Sequence, residues 1–415
     1  MAQRVSGFRF LENLRLQASS HTRSKLGARA AAAPATGVGA GLAGEGFISD
    51  LRRRPPPLRK PEPGNRKPLS FSNPESKTAA MSANVPDTFK ALRIFDDENG
   101  YRAEIVEQTI DDQSEGDVVI RVAWSGINYK DALAGTGKGK ILREFPLNGG
   151  IDAAGTVVQS ENKAFKEGDE VLITGCGLSE TRDGGYSEYL RVPSKWLVPL
   201  PKGLSLREAM LLGTAGFTAA LSLWRIEANG QTPDMGPIVV TGASGGVGSI
   251  AIDILTRAGY EAHAISGKVE QFEWLRSLGA KQCISRNELY WSEKPLDSTH
   301  WAGAIDNVGG DMLSGLTRVI KPWGSIASCG MAGGIGVKTT VMPFIIRGIG
   351  LLGINSAGCP YAIRRELWAR LADAWKPAHL DRIENTEAPL DGLGPHFETA
   401  LEGGSLGRVV VRVGA

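Results

Sequence analysis

One segment narrows the possible folds more than any other: Ile238-Val-Val-Thr-Gly-Ala-Ser-Gly-Gly-Val-Gly248-Ser-Ile-Ala251. Ile238 to Thr241 read as a buried strand, and Ile250 to Ala258 as a helix that is apolar on most faces. A glycine turn that takes a strand directly into a helix is the context of dinucleotide binding, where an isolated glycine motif would mean little. Gly245 lets the backbone approach a pyrophosphate, and Gly248 lets the helix pack close to the strand. The free N–H groups of Ser244, Gly245, Gly246 and Val247, at the positive end of the helix dipole, can hold the phosphates. Ala243 stands where the first glycine of the pattern is usual, with Gly242 just before it. A glycine-rich turn that merely connects two elements is the plain alternative, and the flanking strand and helix weigh against it.

The end of the next strand selects the cofactor. An acid there, some 20 residues on, would bond both ribose hydroxyls of NAD. The chain instead reads Ala264-Ile-Ser266-Gly267-Lys268. A carboxylate would repel a 2′-phosphate, whereas Ser266, Gly267 and Lys268 can accommodate one, so the expected cofactor is NADPH. Arg286, after the third strand, can lie by the adenine or the phosphate, or at the plain surface. Lys268 could likewise be a solvated residue at a helix start.

Strands alternate with helices beyond Leu211: Tyr260 to Ser266, Val269 to Leu278, Gly303 to Val308 and Asp311 to Ile320, then a turn at Lys321-Pro-Trp-Gly324 and strands at Ser325 to Cys329 and Gly350 to Asn355. This rhythm predicts a doubly wound parallel sheet. Before it, short strands at Ala91 to Phe95, Asp117 to Ala123 and Glu170 to Thr174, separated by Gly, Asp and Asn turns, predict a β-rich domain. Arg408 to Val413 is one more strand, so the tail is expected to return to that domain. The expected division is an extension over 1–84, the first part of the β-rich domain over 85–212, the nucleotide domain over 213–352 and the return over 353–415.

The extension differs in composition. Residues 1–80 hold 14 Lys/Arg against 5 Asp/Glu, leaving 33 against 40 for the mildly acidic body. Residues 1–30 are rich in Arg, Ser and Ala with Glu12 as their one acid, the composition of a transit peptide. An Ala/Gly tract and a Pro-rich basic run follow, which cannot bury enough apolar area to order themselves. The expectation is a disordered organellar address, mitochondrial slightly ahead of plastid. A tail without an address, or a start at Met81 and a cytoplasmic protein, is the other reading. The acidic body gives no case for nucleic acid or membrane-surface binding. The longest apolar stretch noted, Met342 to Ile354, is interrupted by Arg347, so no transmembrane helix is expected. Cys176, Cys283, Cys329 and Cys359 are too scattered for a zinc finger or disulfide framework.

The body resembles the medium-chain dehydrogenase/reductase superfamily, in its quinone-oxidoreductase-like branch, and within it the acrylyl-CoA reductase group. The resemblance is carried by Asn128-Tyr-Lys-Asp-Ala-Leu133, Thr136-Gly-Lys-Gly-Lys140, Gly150-Ile-Asp152, Gly213-Thr-Ala-Gly-Phe-Thr-Ala219, Ser277-Leu-Gly-Ala280, Trp301-Ala-Gly-Ala-Ile-Asp306 and Thr339-Thr-Val-Met-Pro-Phe344, with the glycine turn. It implies an α/β protein in which a Rossmann domain is clasped by a discontinuous GroES-like catalytic domain, with the active site between them. It also implies a homodimer joined through the nucleotide domains. Zinc enzymes of the superfamily place Cys near the position of Asn128 and His-Glu at Ile151-Asp152; the five scattered His restore no such set, so no metal is expected.

Without a Lewis acid, the chemistry implied is conjugate reduction: a hydride to the β-carbon of an alkene already polarised by a carbonyl, and a proton to the α-carbon. The resemblance places Asn128 and Asp152 near the nicotinamide, where they either act on the reaction or only brace their loops. Tyr129 is implied as a cofactor contact. Asn307, Met331, Ile345, Ser356 and Arg408 are implied along the cofactor cleft, though Met331 and Ile345 also suit a core. The implied substrate is a small molecule, acryloyl-CoA going to propanoyl-CoA, for whose phosphates Lys130, Lys138, Lys140, Arg364 and Arg365 are available. The chain departs from the group at Gly177-Leu-Ser-Glu-Thr-Arg-Asp-Gly-Gly185, where an Asn-His-Trp-like stretch is usual. Quinone or enone reduction is the second enzymatic reading, and a crystallin-like nucleotide- or RNA-binding protein is the non-enzymatic one.

Overall fold

The computed structural model describes residues 85–414. The targeting segment and the alternative start at Met81 lie outside these residues.

The β-rich part opens with the hairpin β1 (Phe89–Asp97) and β2 (Gly100–Gln108), to which β4 (Leu147–Asn148) adds on the far side of β1. A seven-stranded sheet holds β3 (Val118–Gly126), β5 (Asp152–Ser160), β6 (Glu170–Thr174) and β8 (Val198–Pro199), and β7 (Tyr189–Val192) pairs with β3. Its other edge comes from the chain's end, β15 (Glu384–Pro389) and β16 (Arg408–Arg412), with β16 antiparallel to β3. The tail therefore returns to this sheet, as its Val-rich pattern predicts. A short helix, α1 (Tyr129–Thr136), leaves β3 directly.

The helix α2 (Leu206–Ala228) joins this part to the next. Sequence reading missed it, because its residues are apolar on nearly every face and carry no amphipathic period. It is long and apolar enough to cross a membrane, yet 83% of its most apolar stretch is buried inside the protein. It is two helical segments that meet at Gly213, whose φ of 50° and ψ of −152° are open only to glycine.

The nucleotide part is a six-stranded parallel sheet: β9 (Ile238–Thr241), β10 (Ala262–Ser266), β11 (Ala280–Ser285), β12 (Trp301–Asp306), β13 (Ile320–Ser328) and β14 (Gly350–Gly353). The spatial order is β11-β10-β9-β12-β13-β14. Helices α3 (Gly246–Arg257), α4 (Phe272–Ser277), α5 (Gly310–Val319) and α6 (Met342–Arg347) connect the strands. The chain order reverses between β9 and β12, which opens a crevice at the carboxyl ends of those strands. Lys321 to Gly324, expected as a turn, lie inside β13. The turn chemistry is absorbed by an irregularity in the β12–β13 pairing, with Trp323 at a φ of 65°. The helix expected over Val269 to Leu278 begins as a 3₁₀ turn over Val269–Gln271 before α4.

After β14, α7 (Tyr361–Ala372) packs on α2, where Trp368 stacks on Phe217 at 6.1 Å. Arg364, named from sequence for the acyl-CoA phosphates, is on the buried face of this helix. Its guanidinium donates to the carbonyls of Thr174, Ser356 and Ala357 at 2.8 to 3.2 Å and lies over the Phe217 ring.

Candidate functional site

The glycine turn is built as an anion cradle. Gly242 leaves β9 with a φ of 58°. A Cβ at Gly248 would come within 2.7 Å of the Ala243 Cα, so only glycine allows α3 to start this close to its strand. Gly245 is the N-cap of α3, and no side chain caps the helix. The N–H groups of Gly246 and Val247 have no partner within the helix, because the first turn leaves its donors unpaired. They therefore face the crevice with the positive end of the dipole behind them.

Beside the cradle, Ser244 and Ser266 share a hydroxyl contact of 3.0 Å, and the Lys268 N–H donates to Ser266 Oγ at 3.0 Å. The Lys268 ammonium donates to the Ser405 carbonyl, which leaves it further protons to offer. A Cβ on Gly267 would meet the Arg286 guanidinium at 2.9 Å, so glycine admits the arginine to this corner. Ser266, Gly267, Lys268 and Arg286 thus converge; Glu270 is near enough to act on the Lys268 charge, but among the described residues neither cation forms an ion pair.

Asn307 spans the switch point. Its amide donates to the Thr241 carbonyl at 2.7 Å, and its N–H donates to Thr241 Oγ1 at 3.0 Å. Met331 follows β13 and is 67% exposed, not core. Ile345 is also exposed, on α6 with Ile346 and near its N-cap Val341, just before the sheet edge at β14. Tyr129 is half exposed at the start of α1, and Ser356 is engaged through its carbonyl with Arg364.

The remaining expected residues meet in one buried knot. The Asn128 amide donates to Asp152 Oδ2 at 2.8 Å and to Asp131 Oδ2 at 3.0 Å, while its oxygen accepts from Arg408 at 3.1 Å. Asp152 also accepts from the Thr214 N–H at 2.8 Å and the Thr214 hydroxyl at 2.6 Å. With no exposure and both oxygens taken, its carboxylate braces Asn128 against α2 and is closed off from solvent. Asp131 accepts from the backbone of Asn128 and Ile151 at 2.8 and 2.9 Å. Its burial, with the Asp152 carboxylate close by, pushes its pKa up to about 7. Arg408 donates to the Ile127 and Leu211 carbonyls at 2.8 and 3.0 Å, and its Nη2 is buried without a partner. A Cβ at Gly246 would meet the Arg408 side chain at 3.0 Å, so this arginine lies directly under the cradle. Sequence reasoning missed Asp131, Gly213 and Thr214 as members of the knot. The Gly213-Thr214 pair, a glycine before a hydroxyl residue in an apolar run, was the available signal.

The sequence pattern of the alcohol dehydrogenase GroES-like domain matches residues 114–202, and that of the zinc-binding dehydrogenase matches residues 246–373. The chain is 46% identical to the putative quinone oxidoreductase YhfP of Bacillus subtilis, covering 78% of this chain and 99% of that one. It is 44% identical to the acrylyl-CoA reductase AcuI of Ruegeria pomeroyi, covering 79% and 100%. It is also similar to the YhdH oxidoreductase of Salmonella enterica, solved in complex with NADP (TM-score 0.76, 43% identity, 78% and 100% covered). YhfP itself was solved with NAD bound (TM-score 0.76, 45% identity, 79% and 100% covered). The second pattern's description implies zinc, and the side chains here do not fit it. No three His, Cys, Asp or Glu among the described residues are grouped to hold a metal ion.

The raised pKa of Asp131 gives a pH signature. The unfolded chain releases this proton near 3.8, whereas the folded protein holds it to about 7. The protonated fold is favoured, so this stability is fully present below about pH 4 and is lost as pH rises through 7. Thermal unfolding of the wild type and Asp131→Asn across this window should show the wild type losing ground to the variant as pH rises; parallel curves would refute the assignment.

Proposed function

The chain belongs to the medium-chain dehydrogenase/reductase superfamily, and we propose that it reduces the double bond of acryloyl-CoA to give propanoyl-CoA, with NADPH as hydride source. The observation that carries this reading is the corner formed by Ser266, Lys268 and Arg286, where two cations stand outside any ion pair among the described residues, beside an uncapped helix start. The 44% identity to an acrylyl-CoA reductase over nearly the whole body supports the substrate.

The protein is an NADPH-dependent oxidoreductase. NADPH, when bound, supplies the hydride; the chain holds and orients it. The Gly246 and Val247 amides take the pyrophosphate, and Ser266, Lys268 and Arg286 take the 2′-phosphate. Asn128 is a positioning residue, held by Asp131, Asp152 and Arg408 so that Tyr129 and the start of α1 face the cleft. Asp152 acts through Asn128 and Thr214 and carries no proton to substrate. Quinone or enone reduction is the second reading, favoured by the likeness to YhfP.

Acryloyl-CoA, free acrylate and a small quinone, each assayed with NADPH, separate these readings. Acryloyl-CoA should lead by at least about tenfold in kcat/KM, equivalent to ~1.4 kcal/mol; a quinone that matches it would sink the acyl-CoA reading. For the cofactor, Lys268→Ala with Arg286→Ala should raise KM for NADPH by about tenfold or more through loss of charged hydrogen bonds, with KM for NADH nearly unchanged. Equal changes for both coenzymes would place the phosphate elsewhere. A homodimer joined along β14 is part of the proposal: the strand is an open edge, and exposed Val341, Ile345 and Ile346 flank it. Light scattering should find a dimer that Ile345→Lys converts to monomer, and a monomeric wild type would refute it.

A further inference from the structure

A second concavity lies on the catalytic part, apart from the nucleotide cradle. It is a cavity of about 600 Å³ between the loop after β6 and the loop after β14, lined among others by Cys176, Glu180, Lys195, Trp196, Cys359 and Tyr361. That volume falls in the range of small-molecule sites, roughly 300–1,000 Å³. The two loops are in direct contact: the Cys176 N–H donates to the Ala357 carbonyl at 3.4 Å, and a Cβ at Gly175 would lie 2.8 Å from the Ala357 Cα. The cavity therefore sits where the catalytic sheet meets the segment leaving the carboxyl end of β14, the side of the sheet on which a ligand binds.

It is tied to the active site through one ion pair. Glu180, in its wall, pairs with Lys130, which is two residues from Asn128. With Glu180 so engaged, it is the single carboxylate in the lining, and the charge left over is positive. The Lys195 ammonium lies 5.2 Å from the Trp196 ring centroid, and the Arg182 guanidinium lies 4.8 Å from the same ring. Among the described residues, neither cation has a carboxylate within ion-pair distance. Lys195 is exposed, and Arg182 gives one guanidinium N–H to the Glu115 carbonyl at 2.7 Å and keeps others to offer. The Trp196 indole in the wall of this partly apolar cavity meets two cations outside ion pairs, Lys195 in the lining and Arg182 beside it, which suits a ligand with an uncharged arm and anionic phosphates at its far end.

We propose that this cavity holds the pantetheine arm of a coenzyme A thioester, with Lys195 and Arg182 at Trp196 receiving its phosphates. This deepens the acyl-CoA reading above and rests on it. It also gives a role to Gly177 to Gly185, the loop in which this chain departs from the pattern of its group, since Gly177, Glu180 and Arg182 belong to it. The cations that recognise the substrate are then Lys195 and Arg182. Arg364, named from sequence, also lines the cavity but is buried, with both terminal nitrogens donating to carbonyls.

The test uses Lys195→Glu in the NADPH-loaded enzyme, with two thioesters: acryloyl-CoA and the acryloyl thioester of N-acetylcysteamine, which lacks the phosphates. The variant should raise KM for acryloyl-CoA by about tenfold or more, with kcat, KM for NADPH and KM for the truncated thioester unchanged. An unchanged KM for acryloyl-CoA, or equal changes for both thioesters, would overturn the assignment. Titration of coenzyme A itself into the holoenzyme separates the cavity from the reaction. Binding that Lys195→Glu abolishes upholds the cavity even if acryloyl-CoA is not turned over and the proposed reaction falls. Binding that is absent in the wild type, or equal in the variant, overturns the cavity.

Discussion

A guanidinium shut away from water at the junction of the two domains sets the terms for everything around it. Arg408 is 3% exposed, and its desolvation is only partly offset by the Asp152 and Asp131 carboxylates nearby and by the Ile127, Leu211 and Asn128 oxygens. Removing one partner from such a cluster leaves an uncompensated buried charge, at a cost of about 3–5 kcal/mol. Four segments supply these groups: the turn from β3 into α1, the start of β5, the break in α2 and the start of β16. The knot therefore ties the catalytic sheet to the joining helix α2.

The glycines around Arg408 follow from its bulk. A Cβ on Gly126 or Gly213 would meet its Nη2 at 2.8 and 3.0 Å, and one on Gly246 its aliphatic stem at 3.0 Å. Gly213 has a second reason, since its backbone conformation breaks α2 and frees the Thr214 N–H to bond Asp152. One residue later in the same element, that hydroxyl completes the carboxylate's shell. Here backbone strain is not a defect; it converts an apolar helix into a donor aimed at the site.

The cradle is likewise a product of both domains. The Gly407 N–H donates to the Ser244 carbonyl at 3.0 Å, and the Lys268 ammonium reaches the Ser405 carbonyl. The segment entering β16 is thus stitched to the phosphate loop, and Arg408 follows immediately. This explains why the chain must return to its first domain: the strand that closes the catalytic sheet also supplies the floor of the nucleotide site.

Local chemistry made much of this legible in the sequence. The strand, glycine turn and helix at Ile238 to Ala258, the missing acid at Ser266 to Lys268 and the Val-rich final strand depend on residues adjacent in the chain, and period and composition report them. The same locality misled at Lys321 to Gly324, where turn residues are carried as an irregularity inside β13. Nor could it find α2, whose burial on all faces erases its period. Only the tertiary structure decided where the Asp152 carboxylate lies and what it bonds, because a carboxylate reads alike as exposed or enclosed until its neighbours are known. Arg364 and Lys195 make the same point from opposite sides: both are cations in the sequence, but packing closes carbonyls around one and leaves the other in water beside Trp196. Sequence set the order and chemical character of the parts through short-range stereochemistry. Which charges face a ligand was set by burial, which depends on segments hundreds of residues apart meeting in space.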